Sequence, residues 1–322
     1  MSVHVLVTGA GSAAAVMFLQ AAAAENVVLF AADKDPYAPG LYMVPESRRL
    51  RLPRADDPAY VAALLQLCWQ HRIGILVPGG TAAEQLRISN QRGSFELMGT
   101  TVLLAPAEAV ACAQDQLAIR MACEGVVPLP TTRLLSFRFQ AGEGPWLLRP
   151  RFDRGRPVRL LRSAAELAEL PRDESLLVQE YLPGEEYRVD TLMTPDGHPL
   201  VAIPRMHLQM EQGAIVAARS FHDPELEELA LRVVAGVGLC WAASVCFRRD
   251  ARGELKLTNI KAHFQGGMSF AVSAGINLPA LCLALAQGHS VEGRLSFREV
   301  VVVRHWEQQV IEQRAPRYAL AA

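Results

Sequence analysis

Lysine, net charge and long hydrophobic runs are all scarce in this chain, and each shortage argues against a class of function. The 322 residues carry a formal net charge of −1 at pH 7, so no overall field attracts nucleic acid or an anionic membrane. No uncharged run reaches bilayer-spanning length, and the first residues lack the basic segment of a signal peptide. Lysine occurs only at positions 34, 256 and 261, whereas arginine is abundant. The composition predicts a soluble globular protein that binds neither nucleic acid nor membranes.

Cysteine is present but lacks the spacing of a metal or redox motif. The six cysteines, at positions 68, 112, 123, 240, 246 and 282, form no CxxC pair and no Cys/His zinc pattern. Most of them lie in apolar runs, which favours buried free thiols. This usage fits a reducing compartment, so the sequence predicts a cytoplasmic protein.

The first 106 residues alternate short apolar strands with helical stretches. Strands are predicted at Val3–Val7, Val27–Ala31 and Ile73–Val77, with helical segments between them. Strands that alternate with helices form parallel sheets with crossover connections. The expected fold class is therefore α/β, beginning with a Rossmann-like parallel sheet.

A glycine-rich turn follows the first predicted strand and opens the first predicted helix. Gly9-Ala-Gly11-Ser-Ala-Ala14 fits G-x-G-x-x-A, and Asp33 lies near the position that binds a ribose in dinucleotide sites. Glycines there let backbone N–H groups approach a phosphate at the helix N-terminus. Taken alone, the turn keeps an NAD(P)-dependent oxidoreductase open, although any strand-to-helix turn in such a sheet tolerates glycine.

Beyond residue 107 the sequence changes to a largely antiparallel pattern. Strands are predicted at 200–205, 215–220, 242–248 and 254–260. The run from Val178 to Asp190 reads as a strand, a Pro-Gly turn and a second strand, which predicts a hairpin. Its acids Glu180 and Glu186 flank the turn, where a half-buried hairpin favours apolar or neutral residues, so they need a functional explanation.

This strand–turn–strand run resembles the nucleotide hinge of the ATP-grasp superfamily, and the likeness covers nearly the whole chain. It is closest to the carbamoyl-phosphate-synthase-like branch, which includes many carboxylate–amine ligases. By position, the resemblance implies that backbone atoms of Glu180, Tyr181 and Leu182 hold the adenine edge of ATP or ADP. It also implies that the Glu186 carboxylate accepts hydrogen bonds from the ribose hydroxyls.

Further motifs of the family follow in the same order, with altered residues. Trp146-Leu-Leu-Arg149-Pro150 is similar to the strand whose lysine touches the ATP phosphates, with Arg149 in its place. The phosphate flap corresponds to residues 151–159, which hold one glycine and four arginines. Gln116 stands where the family has a lysine, and Arg205 resembles an arginine that contacts phosphate or substrate. The resemblance therefore implies a strongly cationic phosphate site.

The last motif departs most from the family. The segment from Lys256 to Gly267 aligns with the family's EINPRFSGG, and Asn259 replaces its metal-binding glutamate. Lys261 replaces the metal-binding asparagine, and His263 replaces an arginine. On the preceding strand, Cys246 or Ser244 falls near the first metal-binding carboxylate or glutamine. Mg²⁺ prefers hard oxygen ligands, and an ammonium beside it is repulsive. We therefore expect a degenerate metal motif, which puts Mg²⁺ as a cofactor in doubt.

The resemblance implies three structural units and leaves two functions open. The units are an N-terminal domain at 1–106, a lid subdomain at 107–178 and a large subdomain at 179–322 of a two-part α+β ATP-grasp domain. The first function is a nucleotide-binding pseudoenzyme that keeps the hinge but has lost the acids for Mg²⁺. The alternative is an active ligase that joins a small carboxylate and an amine through an acylphosphate, with Arg205, Lys261 and His263 as catalytic candidates. A homodimer or a protein partner remains open in both cases.

Overall fold

Three β-sheets organise the part of the chain that the structure describes. The structure is a computed structural model that describes residues 2–136, 144–152, 158–171, 173–212, 214–305, 307–308 and 310–311. A parallel five-stranded sheet is followed by an antiparallel four-stranded sheet, the lid sheet, and an antiparallel six-stranded sheet, the large sheet. This arrangement confirms the predicted fold class, in which a Rossmann-like sheet precedes an α+β part.

The parallel sheet is built from alternating strands and helices. Its strands are β1 (Val3–Thr8), β2 (Val27–Asp33), β3 (Arg49–Arg51), β4 (Ile73–Pro78) and β5 (Thr101–Val102). The helices are α1 (Ala13–Ala22), α2 (Tyr60–Gln70), α3 (Ala82–Asn90) and α4 (Arg92–Glu96). The strand order is β3-β2-β1-β4-β5, so the chain reverses its direction of growth between β1 and β4. The central strands are covered on both faces and therefore read as continuous apolar runs.

The lid sheet has the strand order β6-β9-β7-β8 and a small core of its own. Two helices, α5 (Ala107–Gln114) and α6 (Gln116–Cys123), precede it. Its elements are β6 (Thr132–Leu135), β7 (Trp146–Pro150), β8 (Arg159–Leu161), α7 (Ala164–Ala168) and β9 (Asp173–Glu180). Four buried side chains form its core, namely Leu135, Leu161, Leu167 and Val178. Because this core is small, the lid sheet depends on its neighbours for stability.

The large sheet has the strand order β14-β13-β10-β11-β12-β15 and confirms the predicted antiparallel strands. Its strands are β10 (Glu186–Met193), β11 (Pro199–Glu211), β12 (Ala214–Ser220), β13 (Trp241–Arg249), β14 (Leu255–Lys261) and β15 (Val301–Val303). The helices are α8 (Pro224–Val237), α9 (Ser269–Ser273) and α10 (Leu278–Ala286). Helices α5, α6 and α8 share a core with one face of this sheet.

The predicted hairpin around the Pro-Gly turn is wrong, because β9 and β10 belong to different sheets. Strand β9 pairs with β6 and β7, whereas β10 pairs with β11 and β13. The turn instead bonds to the end of β13: the Gly184 N–H donates to the Arg249 carbonyl (3.0 Å), and the Arg249 N–H donates to the Glu185 carbonyl (3.1 Å). Residues 181–185 therefore join the lid sheet to the large sheet.

The N-terminal domain and the large sheet share one hydrophobic core. Side chains of β1 and α1 pack in it together with Leu192, Ile203 and Trp241 from the large sheet. Phe264 lies edge-on to Phe18 of α1, with ring centroids 5.0 Å apart. These contacts fix the two units to each other over an extended apolar surface.

Two further observations concern the possible membrane-spanning helices and the state of the cysteines. No single helix among the described residues is long and apolar enough to cross a membrane; a bent pair, Gly266–Ser273 with Leu278–Ala286, passes by length and composition alone. All six cysteines are free thiols, and four of them are buried.

Arg205 and Asp190 form a buried ion pair inside the large sheet. The Arg205 guanidinium donates through Nε to Asp190 Oδ2 at 2.7 Å, and their side chains are 1% and 0% exposed. Gly267 packs on this guanidinium so closely that a Cβ there would lie 2.5 Å from its Nη2. The pair therefore holds the loop that contains Gly267 against the sheet.

Removal of one partner of this pair leaves an unpaired buried charge. We expect Asp190→Ala to lower the free energy of unfolding by about 3 to 5 kcal/mol. The matched control is Glu228→Ala, which breaks an exposed i,i+4 pair with Arg232 and should cost less than about 1 kcal/mol. Urea unfolding at pH 7 measures both variants, and equal losses would contradict a structural role for the buried pair.

Candidate functional site

A cleft of about 290 Å³ lies between the lid sheet and the large sheet. The lid sheet and its surroundings contribute Leu147, Arg149, Val158 and Gln179 to the walls, and the connection to the large sheet contributes Leu182. The large sheet contributes Glu186, Arg188, Cys246, Arg248, Thr258 and Asn259. The cleft thus brings together three of the predicted site residues, Arg149, Leu182 and Glu186, with Cys246 and Asn259 at the expected metal positions.

Strand alternation explains why charged side chains meet in the cleft. Glu186 and Arg188 are two residues apart on β10, so they project from the same face of the sheet. In the register between β10 and β13, Glu186 is opposite Arg248 and Arg188 is opposite Cys246. The intervening Tyr187 points to the helix-covered core on the other face.

Three arginines around the cleft have a buried Nε without a hydrogen-bond partner among the described residues. They are Arg149, Arg188 and Arg248. Arg149 is held in place because its Nη1 donates to Gln179 Oε1 and to the Thr258 carbonyl, both at 3.1 Å. Burial lowers the pKa of Arg149. Since an unsatisfied buried donor costs about 1 to 3 kcal/mol, the three Nε groups are suited to an acceptor-rich anion.

Glu186 is the acid that balances part of this positive charge. Its carboxylate lies 3.5 Å from Arg188 Nε and 3.8 Å from Arg248 Nη2, and its side chain is 37% exposed. Arg248 also donates to the Leu182 carbonyl at 3.5 Å. The described wall therefore holds one carboxylate against three guanidinium groups. Such a cleft attracts anions.

The Glu180 side chain turns away from the cleft into a separate ion-pair network. Its carboxylate accepts a hydrogen bond from Lys256 Nζ at 2.9 Å and one from the Thr131 N–H at 2.9 Å. Lys256 also lies 3.3 Å from Asp250. Burial works to lower the pKa of Lys256, but the hydrogen bonds to the two carboxylates raise it overall. The backbone of Glu180, Tyr181 and Leu182 keeps its position at the cleft end, and its adenine-binding role stays a prediction.

The position expected for a metal-binding acid is filled by an amide pair. Asn259 Oδ1 accepts hydrogen bonds from Gln116 Nε2 at 3.0 Å and from the Ile260 N–H at 2.9 Å. These two donors use both lone pairs of the amide oxygen. Cys246 beside it is buried, and burial raises the pKa of its thiol. No group of three His, Cys, Asp or Glu residues in the described ranges is placed to hold a metal ion. The expected loss of Mg²⁺ binding stays a prediction.

Lys261 and His263 lie next to the cleft rather than in its wall. They line a small cavity of about 30 Å³ between β14 and helices α3 and α5. Burial lowers the pKa of Lys261, and the nearby charge of Arg149 lowers it further. Arg205 is buried in its pair with Asp190 and does not line the cleft. The catalytic roles of these three residues stay predictions.

Arg188 and Arg248 are cleft residues that the sequence analysis missed. Neither residue belongs to a motif that the family comparison used, so that comparison could not identify them as cleft residues. The spacing of Arg188 two residues after Glu186 was available as a signal, because residues two apart on a strand share a face. The flap arginines at 154 and 156 lie outside the described residues.

His263 makes folding stability depend on pH. Burial lowers its pKa to about 4; the Phe264 carbonyl, 2.8 Å from Nδ1, opposes this shift, and the charge of Lys261 adds to it. The unfolded chain binds a proton near pH 6.5, but the folded chain resists it until about pH 4, so stability falls as the pH drops through that range.

His263→Gln should remove part of this acid sensitivity. We expect the loss of unfolding free energy between pH 7 and pH 4.5 to shrink by about 1 to 3 kcal/mol relative to the unaltered chain. His198→Gln is the matched control, since His198 is exposed and pairs with Asp196 at the surface. Urea titrations at both pH values decide the matter, and an unchanged pH slope in the His263 variant would refute the assignment.

Two family models match different parts of this chain. Residues 172–309 match the model described as "ATP-grasp in the biosynthetic pathway with Ter operon". Residues 5–103 match the "PylC-like, N-terminal domain". No curated protein sequence matches. The first part of the chain is thus similar to a PylC-like N-terminal domain, and the last part is similar to an ATP-grasp domain.

Several solved structures share this fold. One is the biotin carboxylase domain of Hydrogenobacter thermophilus 2-oxoglutarate carboxylase, in complex with MgADP, ADP and bicarbonate. It has a TM-score of 0.72 at 16% identity, and the match covers 90% of this chain and 71% of that chain. N5-carboxyaminoimidazole synthetase from Staphylococcus aureus has a TM-score of 0.73 at 12% identity. The match covers 94% of this chain and 82% of that chain. A third structure is the biotin carboxylase domain of a thermophilic 2-oxoglutarate carboxylase, bound to ADP without magnesium and with a disordered phosphate tail. It has a TM-score of 0.65 at 15% identity, and the match covers 91% of this chain and 72% of that chain. At these identities the likeness shows the fold alone.

Proposed function

We propose that this chain, a member of the ATP-grasp superfamily, binds ATP or ADP in the cleft between the lid sheet and the large sheet and neutralises the phosphates with arginine rather than Mg²⁺. One observation carries the proposal. Three guanidinium groups surround a cavity whose described wall contains a single carboxylate, and the Nε atoms of all three make no hydrogen bond within the described residues. The polyphosphate tail is an anion that could satisfy all three.

The chemistry of guanidinium favours phosphate as the ligand. Each guanidinium is planar, always charged and able to donate two parallel hydrogen bonds to phosphate oxygens. Arg149 is anchored to Gln179 and Thr258, so its remaining donors are already oriented before a ligand enters. Such preorganisation reduces the entropy lost on binding.

The other end of the cleft supports a nucleoside. Leu182 provides a buried apolar wall, and the Glu186 carboxylate is exposed enough to accept hydrogen bonds from ribose hydroxyls. In this proposal the backbone from Glu180 to Leu182 holds the adenine edge. Arg188 and Arg248 lie beside Glu186, so they would meet the first phosphates after the ribose.

The loss of the metal acids supports binding without Mg²⁺. The two hydrogen bonds to Asn259 Oδ1 occupy the oxygen that would otherwise face a cation. A biotin carboxylase domain of similar fold is bound to ADP without magnesium, and its phosphate tail is disordered. In this chain the three arginines would order that tail instead.

Substitution of a cleft arginine should weaken nucleotide binding in proportion to phosphate charge. For Arg188→Gln we expect the Kd for ATP to rise roughly tenfold or more, which is about 1.4 kcal/mol. The Kd for adenosine should change by less than about threefold, because adenosine has no phosphate. Arg232→Gln, on exposed α8, is the control and should bind ATP like the unaltered chain. Isothermal titration calorimetry measures all of these, and equal ATP affinity in the two variants would sink the proposal.

Nucleotide affinity should be nearly independent of Mg²⁺. We expect the Kd for ATP in EDTA and in excess Mg²⁺ to agree within about threefold, because the described wall supplies no acid pair for the ion. The double variant Asn259→Glu with Lys261→Asn should gain Mn²⁺ binding, seen as loss of the free-ion signal in electron paramagnetic resonance. A collapse of ATP binding in EDTA, or Mg²⁺-dependent ATP hydrolysis that survives Lys261→Ala, would contradict this account.

A second candidate function is an active carboxylate–amine ligase with a rearranged site. The observation that favours it is the proximity of Lys261 to Arg149, since the charge of Arg149 helps to lower the pKa of Lys261. Two cations at the phosphate end could stabilise a transferring phosphoryl group. The acylphosphate of this reaction would be trapped by hydroxylamine as a hydroxamate. ATP-dependent hydroxamate formation from a panel of carboxylates would favour the ligase over the binding protein.

A further inference from the structure

The connection between the lid sheet and the large sheet is anchored at both of its ends. At one end, the Glu180 N–H donates to the Thr131 carbonyl at 2.8 Å. At the other end, the Gly184 N–H donates to the Arg249 carbonyl at 3.0 Å. Between these anchors, Leu182 is only 2% exposed, yet its N–H makes no hydrogen bond within the described residues. A buried N–H without a partner is costly, so this one is suited to an acceptor on a ligand.

The Glu180 carboxylate links this connection to both sheets. Its Oε2 accepts a hydrogen bond from the Thr131 N–H at 2.9 Å, and its Oε1 accepts one from Lys256 Nζ at 2.9 Å. Thr131 directly precedes β6 of the lid sheet, whereas Lys256 lies on β14 of the large sheet. The Lys256 and Glu180 side chains are mostly shielded from solvent, so salt screens their attraction less than it screens an exposed pair. The place of Glu180 therefore depends on an ammonium group of the opposite sheet.

Lys256 is itself held by the turn between β13 and β14. Its Nζ lies 3.3 Å from Asp250 Oδ2. Asp250 is fixed in turn, because its Oδ1 accepts hydrogen bonds from the N–H groups of Arg252 and Glu254, at 2.8 and 2.9 Å. Lys256 is not among the described residues that line the cleft, so it affects a ligand there only through Glu180.

The fold does not depend on this ammonium alone. The Leu257 N–H donates to the Pro128 carbonyl at 3.0 Å, and the Arg249 N–H donates to the Glu185 carbonyl at 3.1 Å. These backbone bonds hold the segments on both sides of Glu180 against the large sheet, whatever side chain occupies position 256. Removal of the ammonium should therefore loosen the backbone at Glu180 without unfolding the lid sheet.

We propose that Lys256 is a positioning residue for nucleoside binding. Through Glu180 it fixes the backbone of residues 180–182 at the distance from the cleft arginines that lets the base and the phosphates bind together. This inference rests on the proposed nucleotide site and adds the residue that sets its affinity for the nucleoside part. Without Lys256, Glu180 keeps only its bonds to Thr131, and each base contact must first order the loosened backbone. The phosphate end keeps its arginines.

Three ligands separate the two ends of the cleft in titration calorimetry on the full chain. Lys256→Met should raise the Kd for ATP and for adenosine at least about fivefold, and the Kd for tripolyphosphate less than about twofold. Arg188→Gln should give the opposite pattern, with tripolyphosphate weakened and adenosine unaffected. Lys256→Arg should restore binding to within about twofold of the unaltered chain, because a guanidinium also pairs with a carboxylate. Lys34→Met is the matched control, since Lys34 is exposed and lies outside the cleft.

Glu180→Gln keeps the test decisive if Lys256→Met fails to fold. This variant retains an oxygen for the Thr131 N–H but removes the charge that Lys256 binds, so it should give the same pattern as Lys256→Met. Unchanged adenosine affinity, equal weakening of all three ligands, or no rescue by Lys256→Arg would overturn the positioning role. Failure of the proposed nucleotide site differs, because ATP affinity would then be insensitive to Arg188→Gln. An unaltered chain that binds none of the three ligands would overturn both proposals.

Discussion

The hydrogen bond between the amides of Gln116 and Asn259 sets the chemistry of the nucleotide cleft. It joins the first residue of α6 to the middle of β14, and the Gln116 N–H also bonds to the Arg151 carbonyl at 2.9 Å. A lysine and a glutamate at these two positions would pair as ions, whereas two amides pair without charge. The neutral pair leaves Arg149, Arg188 and Arg248 facing a single acid. The charge that the cleft lacks is then negative, and a metal ion would worsen the imbalance.

The cores of the molecule indicate which parts are held firmly and which are held by polar contacts. The N-terminal domain and the large sheet share an apolar core, and helices α5 and α6 pack against α8 in a second one. The lid sheet has its own small core and reaches the large sheet through polar bonds, among them Arg149 to Thr258 and Glu180 to Lys256. Because polar bonds contribute less net stability than a shared apolar core, the lid sheet is held less firmly than the other two sheets.

The sequence was sufficient for the fold but not for every contact in the cleft. Long apolar runs such as Ile73–Val77 identify buried parallel strands because burial on both faces leaves no other composition. The Pro-Gly turn led to the wrong prediction of a hairpin, because a turn motif is local and does not determine whether the strands on its two sides pair with each other. Arg188 and Arg248 were missed for a related reason: they face Glu186 only through the register of β10 with β13. Pairing between distant segments is set by the packing of whole sheets, which no short motif encodes.

A net charge of −1 conceals a strong separation of charge within the chain. The cleft between the lid sheet and the large sheet has an excess of guanidinium groups, and the crevice of the N-terminal domain that Asp33, Asp35, Asp56 and Glu84 line has an excess of carboxylates. The two excesses nearly cancel in the composition, so the formal charge gives no sign of either. Within each site, however, the local field decides which ions enter, since interactions fall off within about 10 Å in salt. The excess of guanidinium groups in the cleft therefore favours anions there, although the chain as a whole is almost neutral.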